Sequence, residues 1–134
     1  MNYAGNMNVD AWRNRQISKR LKARLDAQTQ EFIRQHGDDT DEQLRELVRR
    51  KAILLHRMPH PLELPGGVFL SRRLGDWNRL AGEFGVIPAS RERGRKVYKR
   101  LREQEAELFA QERKARKAER QRLRQQAAAA EEQA

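Results

Sequence analysis

The chain has 134 residues, 37% of them apolar and 36% charged, and carries a net charge of +10 with an isoelectric point near 10.8. So polar a composition excludes a large core along the whole length, and the absence of cysteine excludes disulfides and thiolate zinc sites. The charge suits an anionic partner, with nucleic acid ahead of an acidic protein or a membrane surface.

The first element is expected over residues 10–36. Val9, Trp12, Ile17, Leu21, Leu25, Phe32 and Ile33 recur mostly at three-to-four spacing, which lines one face of a helix. Asp10 is the expected N-cap and Gly37 the stop, with residues 1–9 as a loose leader. "MNYAGNMNVDAW" has no apolar core for a signal peptide. The longest buried-looking run, "AILL" at Ala52 to Leu55, is far too short to cross a membrane. A soluble cytoplasmic protein with no membrane partner is expected.

A second element opens at "TDEQ", where Thr40 and Gln43 offer a capping box. Leu44, Leu47, Val48, Ala52 and Leu55 form its stripe, and Pro59 and Pro61 require it to end near His56. "MPHPLELPGG" then reads as a stiff connector. "GVFLSRRL" is a helix of about two turns. Gly75 stops it by taking a left-handed conformation, Asp76 caps the next helix "WNRLAGEF", and Gly85 ends that one. Such a trio must bury Leu44, Val48, Leu55, Val68, Phe69, Leu74, Trp77, Leu80, Ala81 and Phe84. Trp77, in the first turn of the last helix, is the expected wedge that closes this core.

The last element starts at Ser90 and lacks proline. Val97, Leu101, Leu108 and Phe109 give a buried stripe that decays beyond Phe109, while Glu92–Lys96 and Glu112–Arg116 are helix-supporting pairs. A long basic helix that frays in "QQAAAAEEQA" follows. No heptad repeat runs through it, so a helix-mediated homodimer or a protein partner stays open without being indicated. Residues 90–126 hold fourteen Lys/Arg against six Asp/Glu, the strongest positive field of the chain. The expected fold class is all-α: a three-helix, helix-turn-helix-like module at 40–88 between an N-terminal helix and a long basic C-terminal helix.

No constellation for catalysis stands out. His56 and His60 have the i, i+4 spacing of half a metal site, but Pro59 interrupts them and no third ligand is placed nearby. "PHPLELPGG" resembles a His-containing nuclease loop without the downstream Asn and His that hold its metal. "LPGGVF" lacks the spacing and the lysine of a phosphate-binding loop. No enzyme activity and no cofactor are expected.

"RMPHPLELPGGVFLSRRLGDWNRLAGEFGVIP", together with "DEQLRELVRRKAILLH" before it, resembles the homing-endonuclease-associated repeat. That family is a small helical DNA-binding module with a leucine-bearing helix, a Pro-containing connector, a short basic helix, and a Phe-Gly-Ser-Trp-Asn type turn opening the last helix. Here "LGDWN" fills the turn, with Leu74 in place of the aromatic and Asp76 in place of the serine. "RLAGEFG" also departs from the Leu-x-x-Ala-Gly ending. The resemblance covers residues 41–88 and implies DNA binding.

Within that module Ser71, Arg72, Arg73, Asn78 and Arg79 are the candidate contacts, with Arg49, Arg50 and Lys51 flanking them. Arg and Asn can pair bidentately with guanine and adenine edges, and Ser and Lys suit phosphate. Arg95, Lys96 and Lys99 on the last helix are the candidate backbone contacts. Tyr98 among them is expected to pack beside Val97 rather than to stack on a base. The leading expectation is a non-enzymatic DNA-binding protein. A helical scaffold protein and an RNA-binding protein are the alternatives.

Overall fold

The computed structural model describes residues 3–133, with side chains from residue 8 onward. All regular structure among the described residues is helical: α1 (Tyr3–His36), α2 (Asp41–Leu55), a 3-10 turn (Pro61–Glu63), α3 (Gly67–Leu74), α4 (Trp77–Phe84) and α5 (Arg91–Gln133). No helix among them is long and apolar enough to cross a membrane.

The caps written in the sequence form. Thr40 Oγ1 accepts the Gln43 N–H at 3.2 Å while the Thr40 N–H donates to Gln43 Oε1 at 2.9 Å, so α2 opens on a full capping box. Asp76 Oδ1 accepts from the Asn78 and Arg79 N–H groups, and Ser90 Oγ accepts from Arg93 N–H at 3.0 Å. Gly85 closes α4 in the left-handed region at φ 68, ψ 31. Gly75 differs from the expected left-handed helical form. Its φ of 83 is positive but its ψ of −135 lies outside that basin, in territory open essentially to glycine alone. His56, not a glycine, takes the left-handed C-cap of α2 at φ 58. The connector is also more ordered than a plain linker. His60 Nδ1 accepts the Leu62 N–H and caps the 3-10 turn, and Met58 N–H donates to Ile87 O at 2.7 Å.

Leu44, Val48 and Ala52, four residues apart on α2, are fully buried. With Met58, Leu70, Leu80 and Ala81 they form the core on which α3 and α4 rest. Each fully buried Leu or Val contributes on the order of 1.5–3 kcal/mol. Phe69, Leu74, Trp77 and Phe84 pack around this core half-buried, and Trp77 Nε1 donates to Pro59 O at 2.7 Å, which pins α4 to the connector. Gly67 permits the close approach of α3 to the 3-10 turn, since a Cβ there would meet Pro61 O at 1.6 Å.

A second packing centre lies between α1 and α5, which run antiparallel with Trp12 against Phe109 and Ser18 against Arg102. Ile17, Leu21, Val97 and Phe109 are its buried apolar residues. Phe32 joins the two centres, with its ring 6.0 Å from that of Phe69. At the other end, Gly94 of α5 sits against His60 of the connector.

Several expectations are corrected. α1 begins at Tyr3, so Asp10 lies inside it and the loose leader is helical from there; residues 1 and 2 lie outside the described residues. Val9 and Trp12 are exposed, because the apolar face of α1 is buried only from about Ile17 onward; Trp12 meets the Phe109 ring and the Arg113 guanidinium but stays 42% exposed. Leu55 is half-buried and outside the core cluster, and Val68 is exposed while Leu70 takes the buried place on α3. Of the "AILL" run only Ala52 is buried, and Leu54 is 76% exposed, because only one face of α2 meets the core. The tail of α5 is helical through Gln133 rather than frayed, in keeping with its Ala, Gln and Glu content. Glu112 does not serve Arg116; its carboxylate is taken by Arg20 of α1.

Candidate nucleic-acid interface

α5 spans 43 residues, about 65 Å of helix. From Ala110 to Gln133 every residue is exposed, although Glu112 still pairs with Arg20 of α1 and Arg113 lies over the Trp12 ring. Among the described residues, only Lys96, Lys99 and Arg122 of the cations at 90–126 have a carboxylate within 4.0 Å. Of the others on this helix, Arg93 and Arg102 are half-buried and the rest face solvent, none with a carboxylate within 4.0 Å.

The root of α5 borders two grooves. One, of about 550 Å³, is walled by α1 and α3 and includes Lys22, Asp26, Gln30 and Arg72. The second, of about 390 Å³, runs between α1 and α5 and includes Arg95, Lys99 and Arg102. Tyr98 borders both and is 44% exposed, whereas its neighbour Val97 is buried. This reverses the expected packing of Tyr98: at this register the helix turns Val97 toward α1 and leaves the phenol at the rim. Arg102 lies with Cζ 6.0 Å from the centre of the Tyr98 ring and donates to Ser18 Oγ at 2.6 Å.

The predicted contacts therefore divide. Arg72, Arg95 and Lys99 come together around these grooves. Arg73, one residue from Arg72, faces elsewhere: its Nε donates to Asp41 Oδ1 at 2.8 Å, tying α3 to the start of α2. Arg49 Nη1 and Arg50 Nε both reach Glu46 Oε1, at 3.2 and 3.4 Å. Arg79 lies 3.8 Å from Glu83, and Lys96 lies 3.3 Å from Glu92. Ser71 Oγ donates to Val68 O, Asn78 is exposed in the first turn of α4, and Lys51 is half-buried. None of these lines either groove.

Two buried or half-buried ion-pair groups escaped the sequence reading. Glu105 is 2% exposed and takes Arg24 at 2.7 and 3.2 Å. Arg20 Nε stands 3.3 Å from Glu105 without hydrogen-bond geometry, and that N–H is buried and unpartnered, while its other nitrogens grip Glu112. The Arg24 hydrogen bonds hold the Glu105 carboxyl below the usual carboxylate range against the opposing effect of burial. The sequence did carry a signal, a glutamate at the fourth-residue step of the stripe Val97–Leu101–Glu105–Phe109. In the connector, Arg57 forks onto Glu63 with both contacts at 2.8 Å, and Glu63 also accepts the His60 N–H. Chiefly through Arg57, the Glu63 carboxyl is pulled down to about 2. Burial pushes the His60 imidazole below its ordinary value.

Among the described residues no group of three His, Cys, Asp or Glu side chains is gathered as a metal site would need. No family model, curated protein or solved structure matches the chain.

Proposed function

We propose that this protein is a non-enzymatic DNA-binding protein that holds the phosphate backbone through α5 and the cations at its root. The observation that carries this reading is the exposed run of α5, where nearly every cation lacks a neighbouring carboxylate. Such a run attracts a polyanion and releases its counterions on contact. The resemblance of residues 41–88 to a DNA-binding module supports DNA over RNA, and Asn78 is an exposed polar group through which that module would meet base edges.

Titration of a labelled duplex over a series from about 50 to 200 mM salt tests the reading, with structured RNA as competitor. Binding that weakens steeply with salt and resists RNA competition is expected. Undetectable binding at low salt, or affinity indifferent to salt, would sink it. The exposed Ile53 and Leu54 on the outer face of α2 favour a second reading, a helical protein-contact surface. A defined oligomer in sedimentation without nucleic acid, paired with no DNA affinity, would decide for that alternative.

A further inference from the structure

We infer that the groove bordered by Tyr98 and Arg72 is a seat for one unpaired base of a DNA strand, an inference that rests on the DNA-binding reading and makes it more specific. An exposed aromatic ring on a basic helix is the unit that stacks bases irrespective of sequence. Tyr98 is such a ring, and its surroundings are those of a seat. Arg102 flanks it and is itself held by Ser18, so the ring and the guanidinium form one pre-positioned surface. Arg102 lines the second groove but not the first, which leaves the first open beside the phenol.

The first groove fits a base by size and by chemistry. Its volume of about 550 Å³ falls inside the roughly 300–1,000 Å³ range of small-molecule sites. A duplex is too wide to enter it; a single base is not. Lys22 and Arg72 supply cations for the attached phosphate, and Asp26 and Gln30 supply acceptors and donors for a base edge. The carboxylate of Asp26 favours an edge carrying an amino group over one that presents only acceptors. The free cations of α5 would meanwhile hold the paired part of the same DNA. The expected ligand is therefore a duplex end or junction with an unpaired nucleotide, not a blunt duplex.

The experiment compares the full-length protein on a blunt duplex and on the same duplex with a short single-stranded extension, with 2-aminopurine at the first unpaired position. Tyr98→Ala and Tyr98→Phe are measured beside the wild type, with circular dichroism as the check on folding. The extended duplex is expected to bind roughly ten-fold tighter, with quenching of the 2-aminopurine. Tyr98→Ala should abolish the preference and the quenching and leave blunt-duplex affinity within about two-fold, while Tyr98→Phe retains all three. Equal binding of blunt and extended duplexes by the wild type overturns the base seat and leaves the DNA reading standing. A preference that survives Tyr98→Ala likewise overturns it. Absence of binding to either duplex at low salt overturns both readings at once.

Discussion

The segment at 40–89 and helix α5 are both rich in arginine, and they dispose of that charge in opposite ways. In the first, among the described residues, only Lys51 and Arg72 lack a carboxylate within 4.0 Å; Arg45, Arg49, Arg50, Arg57, Arg73 and Arg79 are each matched. On α5 the matched cations are the minority. An arginine beside a glutamate presents little net field to a distant phosphate, and an unmatched one presents all of its charge. The number of cations therefore overstates what the short helices offer a polyanion. The same comparison holds for apolar contact. The short helices enclose a core of fully buried side chains, while beyond Phe109 helix α5 encloses nothing. One region is built to hold itself together, the other to present charge.

The sharpest way to break this division is to strip cations from each side in turn. Replacing Arg113, Lys114, Arg116 and Lys117 by alanine should lower the log–log salt slope of duplex binding by about three to four. At about 0.15 M salt that amounts to roughly 10³-fold in affinity, on the order of 4 kcal/mol. The matching quadruple change at Arg45, Arg49, Arg50 and Arg79 should move the slope by less than about one. Equal effects from the two sets would erase the distinction.

Next in size is Trp77→Ala, which attacks the self-contained region. The ring packs on the core and its N–H is satisfied by Pro59 O. Its loss should cost about 3–4 kcal/mol in urea unfolding, near the low end for a large aromatic because the residue is only half-buried. The salt slope of the folded variant should not change. A Trp77→Ala protein of full stability that no longer binds DNA would instead make the indole a ligand contact.

How far this division could be read in advance depends on the kind of interaction. Caps are local in sequence, so Thr40, Asp76, Gly85 and Ser90 announced their helices, and the stripe of Leu44, Val48 and Ala52 announced the buried face of α2. Long-range pairings were not legible. Nothing near Arg73 in the chain points to Asp41, 32 residues away, and nothing near Arg20 points to Glu112, 92 residues away. Those pairings decide which arginines stay free, so the site was legible as a composition and not as a surface. Tyr98 illustrates the same limit. Its neighbour Val97 occupies the seam with α1, and only the register of that seam leaves the phenol at the rim.

Acid should probe the matched region through its strongest pair. The folded Glu63 carboxyl titrates at about 2, below its ordinary 4.5. A group depressed in the folded state contributes stability above its unfolded value and loses it as the pH falls through the folded one. The contribution is thus complete above about pH 4.5 and gone near pH 2, on the order of 3 kcal/mol. His60, depressed by burial, adds a loss of the same sign that sets in below its ordinary 6.5. Urea midpoints measured from pH 7 down to 2 should fall steeply in the wild type. In Glu63→Gln they should start lower and fall less between 4.5 and 2. Parallel curves for the two proteins would show that the Arg57 fork contributes no such linkage.

The smallest expected effect separates matched charge from useful charge at one site. Arg73 and Arg72 are adjacent on α3, yet Arg73 is spent on Asp41 and Arg72 borders the groove. The Arg73–Asp41 pair is largely exposed, so Arg73→Ala should cost less than about 1 kcal/mol of stability. It should also leave the salt slope of DNA binding nearly unchanged, since a guanidinium held by Asp41 away from the groove meets no phosphate and releases no counterion. Arg72→Ala should do the reverse, with stability unchanged and the salt slope lowered by about one. Unfolding and salt titrations of the two variants side by side check the contrast. If Arg73→Ala lowered the salt slope as much as Arg72→Ala, Arg73 would be meeting phosphate in spite of Asp41. The division between the short helices and α5 would then rest on packing alone.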